Sequence, residues 1–157
     1  MAFADDLMEQ THHLATREKY RPRQASLRLA VSTAYYALFH LLAADTVANW
    51  KWADQRADLA RVLEHGRMNS ASLRVLRLPF PNQNVRAVVG LRNVAKAFSR
   101  LQQNRHTADY DNARTWTRTE VLELVTMTDE AFHNWRAVRA EAVAQNYLLS
   151  FLVRDRQ

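Results

Sequence analysis

The stretch RHTADYD at residues 105–111 concentrates side chains that can do chemistry. It holds one guanidinium, one imidazole, one phenol and two carboxylates, from Arg105, His106, Asp109, Tyr110 and Asp111. An imidazole moves protons near neutral pH, and a guanidinium and carboxylates carry charge. The residue types therefore allow chemistry at this stretch, against the alternative that it only ends a helix.

The spacing within this stretch favours an ion pair. If the preceding helix continues past Asn104, Arg105 lies on the apolar side with Phe98 and Leu101. An inward-pointing charge must be paired, because an unsatisfied buried charge costs several kcal/mol. Asp109, at i+4, is the obvious local partner. From spacing alone we favour a structural ion pair over a functional role for Arg105. The same inward direction would also place Arg105 at a subunit interface.

A second feature is an uneven distribution of charge. The chain has a net charge of +6, and no acidic residue lies between Glu64 and Asp109. On a helical wheel, one arc of this region is apolar. The opposite arc carries basic side chains, whose like charges repel each other. We predict that this arc binds nucleic-acid phosphates. The alternative is an exposed Arg-rich face, since 19 of the 22 basic residues are Arg. The arc consists of Arg86, Arg92, Lys96 and Arg100.

The other histidines give weaker signals. His40 follows Tyr36 by four residues, which is typical of a hydrogen-bonded core histidine but also allows it to face a polar cleft. His65 precedes Gly66 and is interpreted as part of a helix end. There is no HExxH motif, no cysteine and no glycine-rich phosphate loop, so the sequence predicts no metal site and no cofactor.

Composition limits the class of protein. The 157 residues are enough for one domain, and the absence of cysteine excludes disulfides. The N-terminal residues lack the basic and apolar regions of a signal peptide. The most apolar run, residues 27–47, is interrupted by polar and charged residues, so we expect no membrane span and a soluble, cytoplasmic protein. Two glycines and three prolines argue against a β fold.

Apolar periodicity predicts the elements that position these residues. We expect an all-α, up-and-down bundle of four or five helices forming a single domain over residues 1–157. The sequence TRTE at residues 117–120 has the spacing of a capping box and predicts the start of the last helix. Residues 69–78 are expected to add a turn or two. The expected long helices cover about residues 2–19, 24–48, 83–104, and 117 towards the C-terminus. A shorter helix is expected over 53–65, with Gly66 as C-cap.

Two separated segments resemble the HEPN superfamily, the higher-eukaryote and prokaryote nucleotide-binding domains. They are RLAVSTAYYALFHLL at residues 28–42 and RHTADYD, in the form of a bacterial, toxin-like branch. The resemblance implies a helical bundle that forms homodimers and acts on RNA or nucleotides without a metal. It also implies a toxin–antitoxin or phage-defence setting, in some members with a nucleotidyltransferase antitoxin as partner.

The resemblance leaves two functions open. Catalytic members carry an Arg followed a few residues later by a His, but here Tyr110 stands at that distance, and His106, adjacent to Arg105, is turned away by about 100° on a helix. One function is a metal-independent endoribonuclease in which Arg105 and Asp109 act with His106, Tyr110 or His40. The alternative is a non-catalytic module that binds RNA, a nucleotide or a partner protein.

Overall fold

The computed structural model describes residues 2–153, in which every regular element is helical. The predicted all-α bundle is therefore confirmed. The described chain forms seven α-helices and one short 3₁₀ helix, Ala53–Gln55. The α-helices are α1 (Phe3–Ala15), α2 (Gln24–Ala48), α3 (Arg56–Ala60), α4 (His65–Arg77), α5 (Val85–Tyr110), α6 (Arg118–Val138) and α7 (Ala142–Ser150).

Helix α2 is the centre of the bundle and packs against α1, α5 and α6. Its side chains are buried nearly all the way round, including Leu27, Tyr35, Leu38 and Leu42, which are fully inaccessible. A helix that is apolar on every side is stable only when other helices enclose it. One buried cluster connects α2 with the neighbouring helices and forms the core.

The length of α2 bears on the expectation that no segment spans a membrane. The helix is long and apolar enough to cross a membrane by length and composition alone. However, 61% of its most apolar window is buried inside the bundle, as in the core helix of a folded domain. Its apolar surface is therefore accounted for by packing against protein.

Helices α5 and α6 pack closely because of one glycine. A Cβ atom built on Gly90 would lie 2.8 Å from Cγ1 of Val138, which is closer than side chains tolerate. The ends of the two helices are fixed by caps that follow from the sequence. The Asn84 side chain accepts hydrogen bonds from the first turn of α5, and Thr117 with Glu120 forms the predicted capping box of α6.

The structure corrects the helices predicted between residues 53 and 78. The expected helix over 53–65 is wrong, because α3 ends at Ala60 and Glu64 takes an extended conformation before α4 begins. Gly66 therefore lies in the first turn of α4 and caps nothing. A buried face of Met68, Ala71, Ser72 and Val75 packs on α5, and this tertiary contact outweighs the helix-weakening effect of the glycine.

Candidate functional site

The RHTADYD stretch is the end of a helix, because α5 continues through it to Tyr110, beyond the predicted end near residue 104. Arg28 of α2 fixes this end. Its guanidinium donates to the carbonyl oxygen of Ala108 at 2.8 Å and to that of Arg114 at 2.5 Å. The last carbonyl groups of a helix have no partner within it, so Arg28 satisfies one and also holds the following loop.

Arg105 points inward, as its spacing predicted. Its Nη1 atom lies 3.4 Å from Oδ2 of Asp109, which confirms the expected ion pair, and 3.5 Å from the Tyr36 hydroxyl. The guanidinium carbon lies 5.0 Å from the centre of the Tyr35 ring and 5.6 Å from that of Tyr36. Two aromatic rings of α2 therefore support a charge that is only 14% exposed.

The guanidinium of Arg105 is not fully bonded. Within residues 2–153 only Nη1 has hydrogen-bond partners, and the buried Nε has none. A guanidinium offers five N–H donors, and charged hydrogen bonds to it are normally 2.7–2.9 Å long. The contacts of Nη1 are longer than that. Arg105 therefore keeps donors for a ligand with several acceptor oxygens.

His65 contacts the same two tyrosines, although its place in the sequence indicates only a helix end. It begins α4, and its ring stacks on Phe39 with the centroids 4.5 Å apart. Its Nδ1 atom is 2.5 Å from the Tyr35 hydroxyl, and its ring meets Tyr36 edge-on at 6.0 Å. In the sequence, the helical spacing of the apolar residues that form the buried face of α4 is the feature that indicates a helix starting at this histidine.

The surroundings of His65 and Tyr35 shift the pKa of both side chains. Burial lowers the pKa of His65, and the positive charge of Arg105 lowers it further. Burial raises the pKa of Tyr35, so its hydroxyl keeps its proton at neutral pH. Two tautomers of a neutral His65 allow this hydrogen bond: Tyr35 donates to Nδ1 when the ring hydrogen is on Nε2, and it accepts from Nδ1 when the hydrogen is there. In the first tautomer Nε2 of His65 is a hydrogen-bond donor, and in the second it is an acceptor.

The other predicted imidazole and phenol groups lie further out. His106 and Tyr110 are exposed, and their rings are 5.0 Å apart on the outer side of the last turns of α5. His40 is partly buried between Phe3 and Phe39, with ring centroids at 4.8 and 5.2 Å. Burial lowers the pKa of His40. None of the three bonds to Arg105 within the described residues.

The predicted basic arc is only partly a free surface. Arg86, Lys96 and Arg100 are exposed. Arg92 is partly buried and has a structural task, because its Nη2 donates to the carbonyl oxygen of Leu78 at 2.9 Å at the end of α4. Its guanidinium also lies 5.5 Å from the centre of the Phe80 ring. Arg92 therefore stabilises the end of α4, and only part of its side chain is exposed.

Acidic side chains also approach the arc from a neighbouring helix. Arg100 borders a cavity that is lined from α6 by Glu123 and Glu130. The sequence between residues 64 and 109 lacks carboxylates, but the fold supplies them from residues further along the chain. Glu123 and Glu130 therefore offset part of the positive charge near Arg100.

The residues that the structure brings together are named the Arg105 site: Arg105, Asp109, Tyr35, Tyr36 and His65. The site joins α2, α4 and the last turns of α5, and its basic and polar groups suit an anion. Comparison of the chain with protein-family models, with characterised proteins and with solved structures found no match.

Proposed function

We propose that this chain is an RNA-directed protein of the HEPN type that binds a backbone phosphate at the Arg105 site. One observation carries the proposal: the guanidinium of Arg105 is largely buried, yet among residues 2–153 only one of its nitrogens has a hydrogen-bond partner. Asp109 holds it at 3.4 Å, a long contact for a charged pair. A phosphate offers two oxygens to the planar guanidinium and forms shorter bonds with it.

The neighbours of Arg105 support RNA as the source of the phosphate. His65, in contact with Tyr35 and Tyr36, adds a second donor when its ring hydrogen is on Nε2. Tyr110, at 68% exposed, offers a ring on which an unpaired base can stack. The exposed Arg86 and Lys96 extend the positive surface along α5. Single-stranded RNA is bound in this way, by phosphate contacts together with aromatic stacking.

A second candidate function is metal-independent RNA cleavage at the same site. The observation that favours it is a neutral imidazole, His65, close to a guanidinium that would stabilise charge on phosphorus. The reaction needs a base that removes a proton from the ribose 2′-hydroxyl. In the tautomer with hydrogen on Nε2, His65 cannot accept that proton unless the Tyr35 hydroxyl turns; in the tautomer with hydrogen on Nδ1, its Nε2 can accept it. The choice between binding and cleavage therefore depends on the tautomer of His65.

The resemblance to HEPN proteins extends the proposal to assembly. We propose a homodimer with α5 near the two-fold axis, in which exposed apolar side chains of α5, Val85 and Val89, become buried. A toxin–antitoxin or phage-defence setting, with a nucleotidyltransferase antitoxin as partner, rests on the resemblance alone. Light scattering on the purified chain tests the dimer, since a monomer at high micromolar concentration contradicts it.

RNA binding is tested by comparing Arg105→Ala with Asp109→Asn in a filter-binding assay. If Arg105 binds phosphate, Arg105→Ala should lose roughly tenfold or more in affinity, the value of a charged hydrogen-bond pair. Asp109→Asn removes the competing carboxylate and should keep or raise the affinity. Arg61→Ala removes a charge from a side chain that is 82% exposed and serves as the control. Equal behaviour of the Arg105 and Asp109 variants contradicts the proposal.

A further inference from the structure

The loop between α1 and α2, residues 16–23, carries a dense positive charge outside the basic arc of α5. Its sequence is TREKYRPR, which has four basic residues and one acidic residue. All four basic side chains are exposed, and none of them forms a salt bridge among residues 2–153. Like charges this close together repel each other unless an anion lies between them. The four are Arg17, Lys19, Arg21 and Arg23.

The single acidic residue of the loop, Glu18, is turned towards the protein. Its Oε1 atom accepts hydrogen bonds from the backbone N–H of Arg23 at 3.0 Å and from the hydroxyl of Ser26 at 2.7 Å. Its second oxygen, Oε2, is inaccessible to solvent. The carboxylate therefore serves to fix the loop to the start of α2, and the outer surface of the loop is basic.

The loop also exposes an aromatic ring. Tyr20 is 81% exposed, and Nζ of Lys19 lies 5.4 Å from the centre of its ring. Proteins that bind single-stranded nucleic acids combine cations, which contact the phosphates, with aromatic rings, on which unpaired bases stack. The α1–α2 loop has both kinds of group within a few residues.

Hydrogen bonds place this loop beside the last turn of α5. Gln24, the residue after the loop, donates from Nε2 to the carbonyl oxygen of Trp116 and accepts from the backbone N–H of Trp116, each at 2.8 Å. Arg28, one turn and about 6 Å further along α2, donates to the carbonyl oxygen of Ala108 at 2.8 Å. The loop and the turn that carries Tyr110 therefore lie at the same end of the bundle.

The first residue of α6 holds the loop from the other side. The guanidinium of Arg118 donates to the carbonyl oxygen of Ala15 at 3.3 Å and also to that of Glu18. The backbone of the loop is thus bonded to α6 as well as to α2. A loop that is already fixed loses little conformational entropy when it binds a ligand.

We infer that the α1–α2 loop is a second contact surface for the RNA, which continues from the Arg105 site past Tyr110 to Tyr20. This inference rests on the proposed function, because one strand occupies both surfaces. The four cations of the loop contact phosphates, and Tyr20 stacks on an unpaired base. The RNA-binding surface then includes one end of the bundle in addition to α5.

An anionic membrane is the other large partner that attracts a basic loop. Segments that bind to a membrane surface also insert apolar side chains such as Leu, Phe and Trp between the lipids. Residues 16–23 contain none of these. The composition of the loop therefore favours a nucleic acid over a membrane.

The test measures fluorescence anisotropy of the full chain with labelled uridine strands of about four and about twelve nucleotides, the range of site sizes for single strands. The combined variant Lys19→Gln, Arg21→Gln and Arg23→Gln should weaken binding of the long strand. It should also flatten the log–log salt dependence by about 2, at about 0.7 for each lost phosphate contact. Binding of the short strand, which the Arg105 site accommodates alone, should hardly change. Tyr20→Ala should weaken binding of the long strand about tenfold.

The matched control removes the same charge elsewhere, in the combined variant Lys51→Gln, Arg61→Gln and Arg77→Gln. These three side chains are exposed and lie at or just after the C-terminal ends of α2, α3 and α4. The control should keep the affinity and the salt dependence of the wild-type chain. An equal loss in both combined variants would mean that only net charge matters, which would overturn the inference. Urea unfolding should show unchanged stability, because all the substituted side chains are exposed.

The outcomes separate this inference from the proposed function. If the wild-type chain binds neither strand, the proposed function fails. If Arg105→Ala abolishes binding while the loop variants bind the long strand like the wild-type chain, RNA binding at Arg105 stands and the inference is overturned. Binding of phosphatidylserine vesicles that requires the loop, together with RNA binding that does not, would assign the loop to a membrane and would also overturn it.

Discussion

Nδ1 of His65 lies 2.5 Å from the hydroxyl of Tyr35, a contact that joins the first turn of α4 to the buried centre of α2. Through this contact an imidazole from outside the RHTADYD stretch reaches the tyrosines that support Arg105. The resemblance implies His106, Tyr110 or His40 as proton carriers that act with Arg105. The fold also brings to this site a histidine from forty positions before the arginine.

Stability should fall when the pH is lowered through the range in which free histidine titrates. Burial lowers the pKa of His65 and that of His40, so the folded state binds fewer protons than the unfolded state below pH of about 6.5. The free energy of unfolding therefore rises with pH in this range and decreases on acidification. Urea unfolding at pH 7.5 and 5.5 measures the difference.

The variant His65→Gln tests which histidine is responsible. Glutamine keeps an acceptor for Tyr35 but does not titrate, so the dependence on pH should become shallower. His40→Gln should remove a further part of it. A pH dependence that is unchanged in both variants would show that the buried histidines contribute nothing to it.

Arg105→Lys should lose most of the RNA affinity although it keeps the charge. An ammonium group on a flexible chain cannot form two parallel bonds with a phosphate, and it stacks less well over the rings of Tyr35 and Tyr36. We expect a loss of about tenfold, close to that of Arg105→Ala. Filter binding measures it, and a lysine variant with wild-type affinity would mean that only net charge matters.

Within the basic arc, Arg92 should contribute to stability and Lys96 to RNA binding. Arg92→Gln should lower the free energy of unfolding by about 1–2 kcal/mol, because it removes a charged hydrogen bond to the end of α4 and the contact with Phe80. Lys96→Gln should leave stability unchanged. If Lys96 contacts RNA, this variant should flatten the log–log salt dependence of binding by about 0.7. Urea unfolding and RNA titrations at several salt concentrations separate the two effects.

The fold was more accessible from the sequence than the site. Apolar periodicity correctly gave the bounds of α2, and the inward direction of Arg105 with its partner Asp109 followed from helical spacing. The start of α4 was missed, because a glycine in its first turn resembles a helix end and only packing on α5 decides the matter. The position of His65 depends on that helix. The role of Arg92 depends on a carbonyl group fourteen residues away, which no local pattern reveals.

Gly90→Ala should behave differently in the wild-type chain and in a Val138→Ala background. The added Cβ would meet Val138 at 2.8 Å and strain the contact between α5 and α6. With Val138 shortened, the strain disappears and the higher helix propensity of alanine remains, worth up to about 1 kcal/mol. Urea unfolding of the four variants in a double-mutant cycle should give a favourable coupling of about 1 kcal/mol. Additive effects would mean that the backbones separate freely.

Arg28→Met should loosen the end of α5 and weaken RNA binding from a distance. Methionine fills similar volume but leaves the carbonyl groups of Ala108 and Arg114 without the donor that now holds them. We expect a loss of about 2 kcal/mol in the free energy of unfolding, since the lost bonds come from a charged group. Amide hydrogen exchange should accelerate first at residues 108–114. The reason is that the last turn of α5, which carries Asp109, frays when the carbonyl group of Ala108 loses its donor. Arg21→Met, at an exposed position before α2, is the control and should change neither stability nor exchange. If Arg28→Met lowers stability without faster exchange at residues 108–114, Arg28 supports the bundle as a whole and not the turn that presents Arg105.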